Sequence, residues 1–140
     1  MNNLIIKVSL AAIISFVAVL VGCGGSGSGL QKVVISGTVT LDGNPIVDGN
    51  VRFYPIEGTK GAVSGGPIHD GVYTAHGKGG VPVGRHRVEI QAYRPAKGQP
   101  SSSEGALIEQ YLPARFNENS TLTAEVSPES EKLDFALTSK

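Results

Sequence analysis

The sequence has a single cysteine, no tryptophan and only 6% aromatic residues. One cysteine excludes an intramolecular disulfide, so a folded domain must hold together by packing alone. Neither sign of charge is in excess, since 12 basic residues stand against 12 acidic ones with no long block of either. That balance leaves no basic field for nucleic acid and no acidic tail, and no nucleic-acid partner is expected. No glycine-rich loop opens a helix in the way phosphate binding requires, and no serine occupies a G-x-S-x-G elbow. What the chain does have is 19 glycines and 8 prolines among 140 residues, enough for one domain of short strands joined by tight turns.

The first 22 residues differ from the rest. Lys7 is their only charge, and 8–21 is an apolar run broken by Ser9 and Ser15. At about 14 residues the run falls short of the roughly 20 that span a bilayer, and it fits the hydrophobic region of an export signal. An uncleaved anchor is the rival reading. The run ends in Leu20-Val21-Gly22-Cys23, which resembles the lipobox of bacterial lipoproteins. That resemblance implies recognition of Leu20, Val21 and Gly22 by a signal peptidase, cleavage before Cys23, and a thioether-linked diacylglycerol on Cys23. Each buried acyl methylene contributes about 0.8 kcal/mol, and two or more chains give stable membrane residence. Gly24, where an aspartate would retain a lipoprotein at the inner membrane, favours the outer membrane by the same resemblance. Behind the cysteine, Gly24-Gly25-Ser26-Gly27-Ser28-Gly29 reads as a flexible tether spanning about 13 Å. The expected organisation is a signal peptide over 1–22, a lipidated cysteine and tether over 23–32, and a domain over 33–140.

Within that domain the dominant period is two. Val33, Ile35, Val39 and Leu41 alternate with Ser36, Thr38 and Thr40, which predicts a half-buried strand. Asp42-Gly43-Asn44-Pro45 supplies turn chemistry and predicts a hairpin. Val51, Phe53 and Pro55 alternate again, 62–68 predicts a short strand, and His69-Asp70-Gly71 a turn before the return over 72–75. In the longest predicted strand His86, Val88, Ile90 and Ala92 face inward, while Arg85, Arg87, Glu89 and Gln91 face water. The stretch 94–105 reads as a polar loop. Leu122, Ala124 and Val126, then Leu133, Phe135 and Leu137, mark the last two strands. About seven strands with this turn spacing predict an all-β sandwich.

Gly37-Thr38-Val39, Asp42-Gly43-Asn44-Pro45-Ile46 and Gly49-Asn50-Val51-Arg52-Phe53 resemble the start of a carboxypeptidase regulatory-like domain. Asp70-Gly71-Val72-Tyr73 and Pro82-Val83-Gly84-Arg85-His86-Arg87-Val88 are similar to that family's later hairpin and strand, with His86 in place of its usual tyrosine. Tyr111-Leu112-Pro113-Ala114-Arg115-Phe116-Asn117 is a feature associated with small bacterial lipoproteins of this architecture. The resemblance implies an immunoglobulin-like or transthyretin-like sandwich and no catalytic role, because regulatory-like domains accompany carboxypeptidases without being their catalytic part.

Catalytic candidates are correspondingly thin. His86 and Glu89 have an H-x-x-E spacing, but residues three apart on a strand point to opposite faces and cannot close on one zinc ion. His69, His76 and a carboxylate such as Asp70 define the alternative, a periplasmic protein handling a metal or small molecule. Asp42 and Asp48 read as turn residues capping their own backbone. Asn119-Ser120-Thr121 has a glycosylation pattern but reads as the lead into a strand. The sequence therefore predicts no enzyme, no cofactor and no metal site. It predicts an extracytoplasmic lipoprotein held to a membrane through its lipid, whose loops or face of Arg85, Arg87, Glu89, Gln91 and Tyr93 contact an envelope protein or polysaccharide.

Overall fold

A computed structural model describes residues 29–98 and 105–140. Leu20, Val21, Gly22 and Cys23 lie outside the described residues. Among those described, no helix is long and apolar enough to cross a membrane.

The strands are β1 (Lys32–Val33), β2 (Ile35–Leu41), β3 (Asn44–Pro45), β4 (Asp48–Pro55), β5 (Ser64–His69), β6 (Val72–Ala75), β7 (Val81–Pro82), β8 (Gly84–Pro95), β9 (Ile108–Gln110), β10 (Thr123–Val126) and β11 (Phe135–Leu137). Seven of them form one path, β10-β8-β4-β5-β6-β2-β11, with β3 added to β2 and β9 to β8. β1 pairs separately with β7. All ladders are antiparallel except that of β11 with β2.

The sheet curls, so that strands distant along it meet across a common core. Phe53 on β4 lies 6.4 Å from both Tyr73 on β6 and Phe135 on β11, and Tyr73 lies 6.0 Å from Phe135, ring centre to ring centre. Phe135 itself is partly buried, and Ile35, Val39, Val51, Ile68, Val88 and Ile90 are among the fully buried apolar residues around these rings. Each such side chain contributes about 1.5–3 kcal/mol relative to exposure, which a domain without disulfides needs. The result is the all-β sandwich that alternation and turn chemistry predict.

Two hairpins show why Asp-Gly was informative. Asp42-Gly43 has φ of 50° and 82°, and Asp70-Gly71 has φ of 48° and 79°. Two successive left-handed residues make the type I′ turn whose twist matches antiparallel strands. The partners flanking these turns are Leu41 with Asn44 and His69 with Val72.

Elsewhere the structure corrects the reading. The segment 94–105 is not wholly loop: β8 runs on through Arg94 and Pro95, which pair with Glu109 and Ile108 of β9. The strand expected over 62–68 is Ser64–His69, with Val63 exposed before it. Asp42 does not cap its own turn but accepts the Ser139 N–H at 3.0 Å. Hydrogen bonds from Ser139 hold its carboxyl below the usual carboxylate range. Ser120 is buried, and its hydroxyl donates to the Val88 carbonyl across the edge of β8.

That edge is covered in three pieces. β10 takes Gly84 to Arg87, β9 takes Tyr93 to Pro95, and the stretch between them supplies single bonds. Tyr111 N–H donates to the Ala92 carbonyl at 3.1 Å and Val88 N–H to the Leu122 carbonyl at 2.9 Å. Within this stretch Ala114–Phe116 forms a 3-10 turn, Phe116 is buried, and Asn117 Nδ2 donates to the carbonyls of Leu112 (3.3 Å) and Pro113 (3.2 Å). A covered edge cannot recruit another strand, so this segment protects the long strand against aggregation.

The final segment is laid beside β2. Ser36 N–H donates to the Glu131 carbonyl (3.0 Å) and Leu133 N–H to the Ser36 carbonyl (2.9 Å). Asp134 Oδ1 accepts both the N–H (2.8 Å) and the hydroxyl (3.0 Å) of Thr38. Tyr73 reaches through from β6 to donate its hydroxyl to the Leu133 carbonyl at 2.7 Å. Gly37 makes the approach possible: a Cβ there would lie 1.8 Å from the Leu133 carbonyl oxygen. Burial, and secondarily Asp134, push the Tyr73 phenol well above its ordinary range, so it remains a donor.

Candidate functional site

The pleat divides the two central strands cleanly. On β4 the residues Gly49, Val51 and Phe53 point into the core, which leaves Asp48, Asn50, Arg52 and Tyr54 on the outer face. On β8 His86, Val88, Ile90 and Ala92 are buried, and Arg85, Arg87, Glu89, Gln91 and Tyr93 lie outward. Register then pairs Asn50 with Gln91, Arg52 with Glu89 and Tyr54 with Arg87. Gly65 and Pro67 extend the face beyond β4, opposite Arg52 and Asn50. Thr123 and Glu125 extend it beyond β8, and Gln110 and Ile108 continue it past Tyr93 and Pro95.

Contacts within the face hold its side chains in place. Arg87 Nη1 lies 2.6 Å from Glu89 Oε1, and its guanidinium sits 4.7 Å over the Tyr54 ring. The Glu89 side chain is only 14% exposed, so this carboxylate is committed to Arg87 instead of facing water freely. Tyr93 donates to Gln91 Oε1 at 2.8 Å, and Arg85 pairs with Glu57 at 3.5 Å. Contacts of this kind each contribute about 0–1 kcal/mol to stability. Their effect is to group tyrosine, amide and guanidinium side chains beside one another on the outer face. Apolar side chains gather at one end of it, where Val47, Tyr93, Pro95 and Ile108 line a groove of about 420 Å³ with Asp48 and Arg94.

The histidines are dispersed. His86 is fully buried, its Nδ1–H donates to the Gly84 carbonyl at 3.1 Å, and its ring meets Phe53 edge-on at 6.1 Å. Because a carbonyl only accepts, the proton is on Nδ1, and Nε2 is left as a buried acceptor with no partner among the described residues. Desolvation holds its pKa below the ordinary histidine value, and Glu89 lies on the opposite side of the strand. His69, the last residue of β5, is exposed 4.0 Å from Asp48, while exposed His76 contacts the Thr74 carbonyl (3.0 Å). Among the described residues no three histidine, cysteine or acidic side chains converge as metal ligands.

No family model, curated protein or solved structure matches this chain.

What the outer face does is therefore read from its own chemistry. The β8 half of it is visible in the alternation of 85–93. The β4 half, Asn50, Arg52 and Tyr54, escapes sequence reasoning because only the pairing of β4 with β8 places those residues beside Arg87, Glu89 and Gln91. The alternation of Asp48–Pro55 is the signal that could have found them.

Proposed function

We propose that the chain is an extracytoplasmic lipoprotein, cleaved before Cys23 and held by lipid on that residue. Its transthyretin-like sandwich is a non-enzymatic binding or structural module of the cell envelope. The anchor half rests on Leu20-Val21-Gly22-Cys23 at the end of an apolar run. The binding half rests on one observation, the continuous outer face of β4 and β8, where Arg52, Tyr54, Arg87, Gln91 and Tyr93 stand together. Tyrosine rings, amides and guanidinium groups on an open, ordered surface suit a polysaccharide chain or protein segment lying across it better than an enclosed small molecule. The outer membrane is the favoured site of anchoring, from Gly24 after the cysteine.

Intact mass and membrane partition test the anchor, with wild type compared to Cys23→Ser in a bacterium that processes lipoproteins. Wild type should lose residues 1–22, gain the mass of acyl chains and stay with the membrane, while Cys23→Ser should do none of these. A wild-type protein that keeps its N-terminus, or is released without lipid, refutes the anchor.

A further inference from the structure

One groove on the outer face carries positive charge that nothing in its walls balances. It has a volume of about 300 Å³ and is lined by Asn50, Arg52, Val63, Pro67 and Lys78, with Gly65, Gly66 and Gly77 among its backbone walls. No carboxylate lines it. Glu89 stands across from Arg52 in the ladder but is engaged by Arg87 at 2.6 Å, and neither Arg52 nor Lys78 has an ion-pair partner among the described residues.

The glycines in the groove's walls let β5 lie close against the backbones of β4 and β6. A Cβ on Gly65 would lie 2.1 Å from the Val51 carbonyl oxygen, and one on Gly66 would lie 1.9 Å from that of Thr74. The loop above it is fixed at two points: buried Ser64 donates to the Gly77 carbonyl (2.7 Å), and Lys32 Nζ donates to the Lys78 carbonyl (2.7 Å). Lys32 thereby brings a third cation to the same loop.

Lys78 itself is conformationally anomalous. In Gly77-Lys78-Gly79-Gly80 the lysine is the one residue with a side chain, yet its φ of 53° and ψ of 30° are left-handed. Glycine adopts that conformation without strain and lysine does not. The chain keeps a cation over the groove where local conformation favours glycine.

We propose that this groove binds an acidic sugar unit of a polysaccharide, its carboxylate held between Arg52 and Lys78 and the apolar side of its ring against Val63 and Pro67. The inference rests on the binding-module reading above and names the ligand class. The space exceeds that of a bare carboxylate, and the groove opens through Asn50 onto the face bearing Gln91 and Tyr93, as a polymer requires.

Binding of polygalacturonate to the full protein in detergent micelles tests the proposal, with neutral dextran and phosphatidylglycerol vesicles as comparisons. Polygalacturonate should bind in a salt-sensitive manner and dextran more weakly. Lys78→Gly and Arg52→Gln should each weaken polygalacturonate binding by about tenfold, as expected for one charge-assisted hydrogen bond. Lys97→Gln, a lysine outside the groove, should change it less than about twofold. Lys78→Gly should leave the melting temperature unchanged or raised, which separates lost affinity from lost folding. Glycan binding that ignores both groove substitutions overturns the proposal while leaving a binding module in place. Absence of polygalacturonate binding overturns it, and so does a groove-dependent preference for the vesicles; the Cys23→Ser experiment judges the anchor independently of each result.

Discussion

Replacing Gly37 by alanine should damage the fold out of proportion to the single methyl added. The Cβ would stand 1.8 Å from the Leu133 carbonyl oxygen, 2.7 Å from its carbon and 2.9 Å from Tyr73 Cε1. Relief needs a displacement of more than about 1 Å, since non-bonded carbon and oxygen rest above 3 Å. Moving Leu133 that far breaks the bond from the Tyr73 hydroxyl (2.7 Å) and the one to the Ser36 carbonyl (2.9 Å). Each loss costs about 1 kcal/mol, and stranding the largely buried Tyr73 hydroxyl adds about 1–3 kcal/mol, so about 3–5 kcal/mol is expected. That is a large part of the roughly 5–15 kcal/mol available to a domain of this size. Tyr73→Phe removes only the donor and should cost about 1–2 kcal/mol. Because alanine at 37 has already broken the Tyr73 contact and phenylalanine leaves no hydroxyl to strand, the double variant should cost less than the sum, by about the Tyr73→Phe value plus the 1–3 kcal/mol of the stranded hydroxyl. Urea unfolding of the four proteins measures every term. A Gly37→Ala cost below about 1 kcal/mol, or additivity within about 0.5 kcal/mol, refutes the account of this contact.

His86 should make the domain acid-sensitive. Burial depresses its folded pKa below the unfolded value of about 6.5, so the unfolded chain takes up a proton first. The neutral-ring contribution is fully present above about pH 6.5 and is lost as pH falls towards the depressed folded pKa, with a slope of at most about 1.4 kcal/mol per pH unit. His86→Leu should flatten that part of the pH–stability curve, as read by thermal melts between pH 7 and 5; an unchanged slope would exclude His86 as its source. At lower pH Asp134 should matter. Hydrogen bonds from the Thr38 N–H and hydroxyl, with Lys132 assisting, hold its carboxyl below the ordinary value, and their contribution disappears as pH falls through that lowered pKa. Asp134→Ala should therefore speed amide exchange at Thr38 at neutral pH but make little difference once the carboxyl is protonated.

Much of the sandwich is legible because its signals are local. Asp42-Gly43 and Asp70-Gly71 each name a two-residue turn, and alternation from His86 to Ala92 names one face of a strand without reference to any partner. β9 is illegible for the opposite reason: Ile108-Glu109-Gln110 is too short to show a period, and it becomes a strand only because β8 continues to Pro95. The role of Asp42 depends on a residue 97 positions away, and a turn aspartate looks the same whether it caps its own backbone or a distant segment. The candidate site divides along the same line. Arg85, Arg87, Glu89, Gln91 and Tyr93 follow from one strand's period, whereas the groove at Arg52 needs β5 and the loop at Lys78 brought together.

The parallel pairing of β11 with β2 also sets a clock. Thr38 and Asp134 are separated by 96 positions, so the first long strand of the domain is completed by residues made long after it. A chain emerging N-terminus first, from a ribosome or through a translocation pore, leaves that flank of β2 uncovered until Leu137 is free. Loop closure over such a distance is entropically costly and slow. The complete sandwich thus becomes available only after the segment ending at Leu137 has followed β2 by almost a hundred residues, and until then β2 has only its β6 and β3 neighbours to hold it.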